Sequence, residues 1–155
     1  MVEPKELILR LRSQDLRCRT GILLVPEPVL GHESEVAVRL GIDYISFAKR
    51  LLDAVPKGAQ FMDMNLARVF NLLDDIADNH RGRRCVLISD IDVAAMRLSS
   101  HDRNELWDRL MRDFPYHKVA LVFTIPGYLD GIRVLEEETV RQGWEESGRM
   151  ATWTI

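Results

Sequence analysis

The chain has 155 residues, 46% hydrophobic and 29% charged, with 21 Lys and Arg against 24 Asp and Glu for a net charge of −3. That length suits one domain, residues 1–155, with a core large enough to fold without a disulfide or metal staple. No segment approaches the ~20 apolar residues of a membrane span, and the net charge excludes whole-surface attraction to nucleic acid while leaving room for a local basic patch.

The opening stretch, MVEPKELILRLRSQDLRCR, mixes Glu, Lys and Arg into its apolar positions, unlike the uninterrupted apolar core of a secretion signal, so a cytoplasmic location is expected. Residues 4 to 17 predict an amphipathic helix with Leu7, Ile8 and Leu11 on its apolar side. GILLV, residues 21 to 25, is a short apolar run bounded by turn residues, which suits a strand covered on both faces. After Pro26 and Pro28, SEVAVRL predicts two helical turns ended by Gly41, and IDYI a second strand. Ser46 is placed to cap a helix carrying Phe47, Leu51 and Leu52, closed by Pro56 and Gly58. Residues 62 to 80 place Leu66, Val69, Phe70, Leu73 and Ile76 at helical spacing, and CVLIS follows as a third strand. Ser99 or Ser100 caps a helix with Leu106, Trp107, Leu110, Met111 and Phe114 on one stripe, stopped by Pro115. KVALVFTI predicts a fourth strand, PGYLDG a turn, IRVLEEETVRQGW a mixed segment, and MATWTI a final strand. Cys18 and Cys85 lie far apart without a metal-ligand spacing and read as free thiols, Cys85 within a buried strand. Trp144 and Trp153 are core or interface candidates. Strands alternating with helices predict a mainly parallel sheet with helices on both faces, whose ligands bind beyond the carboxyl ends of the strands.

Gly21 to Ser34, GILLVPEPVLGHES, has the outline of a phosphate-binding loop between a strand and a helix. A working loop reads G-x-x-x-x-G-K-[ST], in which backbone amides face the phosphates, lysine balances their charge and the hydroxyl ligates magnesium. With the second glycine at Gly31, Pro26 falls on the first, His32 on the lysine and Glu33 on the hydroxyl, while Ser34 sits one position late. Proline has no amide to donate, and Glu33 sets a carboxylate against the phosphate. Two readings stay open: a plain strand-to-helix connection, or residual nucleotide or anion binding around Gly31, His32 and Ser34.

CVLISDID delivers Asp90 and Asp92 at the end of the third strand, the Walker B arrangement in which an aspartate holds the magnesium shell. Either register leaves the hydrolytic pair incomplete, with Ile91 at the glutamate position or Ser89 at the metal position; Asp90 otherwise caps the next segment or pairs with an arginine. Thr124 stands where a polar residue senses the terminal phosphate, or else satisfies a local backbone group. Basic residues crowd at Arg10, Arg12, Arg17 and Arg19, and again at His80, Arg81, Arg83 and Arg84, the second cluster being either a phosphate-binding surface or a solvated turn.

The order of parts from Gly21 to Asp130 resembles the AAA-like P-loop NTPases, and more narrowly the small P-loop proteins of type III bacteriophage-exclusion (BREX) defence systems. The stretches that carry the resemblance are LGIDYISFAKRLLDAVP, LARVFNLLDDIA, CVLISDID and VALVFTIPGYLDG, about two thirds of the chain. The resemblance implies a three-layer α/β, P-loop NTPase-like fold with a five-stranded sheet and a role in a multi-subunit defence complex acting on DNA. Nucleotide chemistry does not follow, because the loop has lost its lysine and hydroxyl. The expectation is therefore a non-hydrolysing component, not an enzyme, that binds defence-system partners, DNA or both, possesses no membrane partner, and forms a homo-oligomer in one version. No cofactor is expected, with ATP and magnesium left open. Two alternatives stand beside it: a Toprim-like metal-dependent nuclease or phosphotransferase using Glu27, Asp90 and Asp92, and a nucleotide hydrolase with an altered loop.

Overall fold

The computed structural model describes residues 1–13, 16–55, 64–115, 117–127, 135 and 137–154. Five strands, β1 (Thr20–Val25), β2 (Asp43–Ser46), β3 (Cys85–Ser89), β4 (Ala120–Pro126) and β5 (Met150–Thr152), form one sheet in the order β2-β3-β4-β1-β5. Every pairing is parallel. Among the described residues the helices are α1 (Pro4–Leu11), α2 (Glu33–Leu40), α3 (Phe47–Asp53), α4 (Leu66–Asn79), α5 (Ile91–Ala95), α6 (Ser100–Arg112) and α7 (Glu138–Glu146).

The period of two along each strand divides the interior into two cores. Leu23, Val25, Cys85, Leu87, Ala120 and Val122 face α1 and α2, which contribute Leu7, Ile8, Leu11, Val36 and Ala37. Ile22, Val86, Ile88, Leu121 and Phe123 face the other way, against residues of α3 through α7 such as Phe47, Leu73, Ala94, Trp107 and Trp144. The result is three layers, with β1, β3 and β4 covered on both faces, which is why their sequences run apolar without alternation.

Most local signals hold. The Ser46 hydroxyl accepts from the Lys49 N–H at 3.2 Å and starts α3; the Ser99 hydroxyl, not that of Ser100, accepts from the Asp102 N–H at 3.1 Å and starts α6. Gly41 ends α2 at φ 71°, in the left-handed region that a side chain resists. Cys18 and Cys85 are free and buried, and burial pushes the Cys85 thiol up to about 12.

Three expectations are corrected. The first helix stops at Leu11 instead of running to residue 17, because the chain must turn into β1 at Thr20 and the Arg19 guanidinium takes the Leu11 carbonyl at 2.8 Å. The final strand ends at Thr152, the last residue in register with β1, and the Trp153 N–H donates to the Leu24 carbonyl at 2.7 Å just beyond it. The mixed segment after residue 131 contains α7, whose Val140 and Trp144, four apart, are its buried pair. Pro56 and Gly58, and the turn from residue 128 onward, lie outside the described residues. Among the described residues no helix is long and apolar enough to cross a membrane.

Candidate functional site

In an open parallel sheet, ligands bind where neighbouring strands send their connections to opposite faces. Here β1 leads to α2 on one face, and its neighbour β4 precedes α7 on the other. The loop after β1 therefore borders that crevice, and it contains Gly31 and His32, with Ser34 in the first turn of α2.

That loop uses its own amides. Pro26 and Pro28 have none. Glu27–Val29 form a single 3₁₀ turn, in which the Val29 N–H donates to the Pro26 carbonyl at 3.0 Å and the Leu30 N–H to the Glu27 carbonyl at 3.0 Å. The His32 N–H donates to the Val29 carbonyl at 2.8 Å. The Gly31 N–H, at φ 86°, is taken by both carboxylate oxygens of Glu33 at 3.1 Å, whereas the first-turn amides of α2, Glu33 and Ser34 N–H, have no partner among the described residues. Glu33 is 7% exposed and stands at the first position of α2, where the helix dipole favours a carboxylate. It thus fills with its own negative charge the place a phosphate oxygen would take. His32 turns outward, its Nδ1 3.9 Å from the Glu35 carboxylate, and Ser34 is exposed.

Asp90 sits at the elbow between β3 and α5 with φ 67°, the one side-chain-bearing residue at positive φ among those described. Aspartate tolerates this conformation better than most residues, yet it still stores strain. Its side chain does not cap α5. It accepts instead from the Ser46 hydroxyl at 2.8 Å and the Ser89 hydroxyl at 3.3 Å, while Tyr44 and Ser89 share a bond at 2.6 Å. The carboxyl ends of β2 and β3 are thereby laced together. Thr124 is buried in β4 and donates to the Ile88 carbonyl at 3.4 Å, so it serves the sheet.

Burial raises the Asp92 carboxyl above its usual range, and the charges of Asp90 and Glu33 add to the effect. Glu33, a carboxylate at the hydroxyl position of the loop pattern, is thus a first-turn residue of α2 whose charge reaches Asp92 beyond the end of β3. Glu27 is exposed on its 3₁₀ turn. Among the described residues, the group whose ligand atoms lie within 4.8 Å of one another is His101, Asp102 and Glu105 at the start of α6; Glu27, Asp90 and Asp92 are not brought together in this way.

A raised carboxyl is one whose charged form folding disfavours, so its cost is greatest above the folded pKa and is relieved as pH falls through it. Asp92→Asn removes that cost. It is expected to raise the melting temperature near neutral pH by about 2–4 °C, on the order of 1 kcal/mol, with the gain shrinking in acid. Thermal unfolding at two pH values checks it; a neutral-pH loss would show that Asp92 instead anchors α5.

The HRGRR segment lies at the opposite, amino-terminal edge of the sheet. His80 Nε2 is 2.7 Å from Asp43 Oδ2, and the Arg83 N–H donates to the same oxygen at 2.5 Å. These hydrogen bonds, His80 first, hold the Asp43 carboxyl below its usual range against the opposing effect of burial. Gly82 is required there, since a Cβ would lie 2.0 Å from that oxygen. His80 is therefore a staple for β2 and its side chain is only 15% exposed, whereas Arg81, Arg83 and Arg84 are exposed. No signal in the sequence singled out Asp43 as their organiser.

No protein-family model matches the chain, and no curated protein matches it in a sequence comparison.

Proposed function

We propose that the chain is a non-hydrolysing, P-loop-like component of a bacterial anti-phage defence complex, silent toward nucleotide and acting as a scaffold for partner proteins, DNA or both. The observation that carries this reading is the loop after β1, in which the Val29, Leu30 and His32 amides are spent on the loop's own carbonyls and the Gly31 amide on the Glu33 carboxylate, so that only the first-turn amides of α2 are left to an anion. A phosphate arriving there meets no free amide on Val29, Leu30, Gly31 or His32, no lysine, and the negative charges of Glu33, Asp90 and Asp92. The sheet order supports the architecture, because β4 lies between β1 and β3 as it does in AAA-like P-loop domains. The assignment to a defence system rests on the stretches of sequence that resemble those proteins. The Toprim-like alternative draws less support, since Glu27 stands exposed and forms no ligand group with Asp90 and Asp92.

Calorimetric titration with ATP and ADP, with and without magnesium, tests the reading. No binding is expected at the ~100 μM level, which corresponds to about −5.5 kcal/mol. Tighter binding would mean that the loop opens and that Glu33 is displaced at small cost.

A further inference from the structure

The amino-terminal edge of the sheet, opposite the closed loop, collects cations from three separate parts of the chain. Arg12 and Arg17 precede β1, Arg81, Arg83 and Arg84 precede β3, and Lys118 precedes β4, which lies between those two strands. The ladder fixes their neighbourhood. The Arg84 carbonyl accepts from the Ala120 N–H at 2.7 Å, and the Arg19 carbonyl from the Leu121 N–H at 2.9 Å, so the entries of β1 and β3 flank that of β4. With strands ~4.8 Å apart, the outer two entries are separated by about 10 Å. The charge of Arg12 reaches as far as Cys85, the first residue of β3.

All six side chains are exposed. Among the described residues, Arg12, Arg17, Arg81, Arg84 and Lys118 form no ion pair, while Arg83 faces Asp43. Of the carboxylates near this edge, Asp43 is engaged with His80, Asp74 and Asp78 with His117 at 3.2 and 2.8 Å, and Asp75 with Asn79 at 2.6 Å, while Asp113, between α6 and β4, is exposed. A net-negative protein thus gathers six exposed cations at the amino-terminal end of its sheet. The set is mostly arginine, whose planar fork matches phosphate oxygens in pairs.

We infer that this edge is a phosphate-backbone interface that binds duplex DNA without sequence preference. A width of about 10 Å spans roughly three phosphates at 3.4 Å per strand. The set contains cations alone, with no base-reading amide or stacking ring, which suits backbone contact. The inference deepens the scaffold reading by naming DNA as the ligand and this edge as its seat.

The test is fluorescence anisotropy with a ~20-base-pair duplex over ~50–200 mM salt, where about three phosphate contacts give a log–log slope near −2.7 and a loss of about 40-fold in affinity. Arg12→Ala/Arg17→Ala and Arg81→Ala/Arg84→Ala are each expected to weaken binding by about tenfold or more at the lowest salt and to make the slope shallower by about 2. Lys49→Ala/Arg50→Ala, exposed on α3 beyond the other end of the sheet, serves as the control and is expected to change affinity less than about twofold. Unchanged melting temperatures, expected for exposed side chains, separate lost contact from lost fold. Absence of salt-dependent binding by the unaltered chain would overturn the inference. So would an Arg12/Arg17 variant that binds normally, because the two clusters would then not share a face, or a control that weakens equally. The nucleotide titration stands apart: failure to bind DNA leaves the closed loop intact, and ATP binding leaves the basic edge intact.

Discussion

Trp107→Ala is expected to cost about 3–5 kcal/mol and to lower the melting temperature by about 10 °C or more. Trp107 is fully buried on α6, and its indole meets the Phe123 ring edge-on at 6.1 Å across the interface between helix and sheet. With Trp144 it is one of the two largest side chains of the core on that face of the sheet, so truncation leaves a cavity bounded by Phe123 of the central strand β4. Its indole N–H finds no partner among the described residues. A buried donor left unpaired already costs about 1–3 kcal/mol, so Trp107→Phe is expected to be milder than its loss of volume suggests. Urea unfolding of both variants checks the pair; a phenylalanine as damaging as alanine would show that the indole nitrogen is satisfied.

Arg149→Met is expected to destabilise by about 2–4 kcal/mol, a drop of roughly 5–10 °C. Arg149 is 4% exposed and donates to the Cys18 carbonyl at 2.7 Å, to the Met111 carbonyl at 2.5 Å and to the Ser147 hydroxyl at 3.3 Å. Its guanidinium also lies 5.0 Å from the Trp144 ring centre. Burial pulls its pKa below the usual range, with the Cys18 bond opposing, which marks a cation whose desolvation is offset by carbonyl dipoles. The Met111 carbonyl belongs to the last turn of α6, where the helix dipole favours a positive charge. Methionine fills much of the volume and leaves those carbonyls buried and unpaired. Lysine, with one compact ammonium, cannot reach all three acceptors and is expected to recover less than half of the loss. A change below ~2 °C for Arg149→Met would show that water replaces the guanidinium.

Much of the candidate site was legible in residue types, and little of its wiring was. Pro26, His32 and Glu33 differ from the residues of a phosphate-binding loop, and the structure puts a 3₁₀ turn there with the Gly31 N–H on the Glu33 carboxylate. That Glu33 would bend back to occupy the Gly31 amide was not legible, because the contact needs a helix start and a left-handed glycine to be placed together. Ser46 was recognised as a cap, yet its donation to Asp90 depends on β2 lying beside β3. His80 was grouped with the arginines beside it; Asp43, 37 residues away in sequence, takes it out of that group.

By itself the sequence determined the alternation of helices and strands, the apolar central strands, the cap at Ser46 and the end of α2 at Gly41. Each depends on periodicity or on the backbone preference of one or two residues, which a linear reading contains. Only the tertiary structure decided the strand order, the closure of the β1 loop by Glu33, the pairing of Asp90 with Ser46, and the gathering of Arg12 and Arg17 with Arg81 and Arg84 at one edge. Those depend on which strand entries and exits become neighbours across the sheet, and in a parallel sheet that is set by the packing of both faces at once.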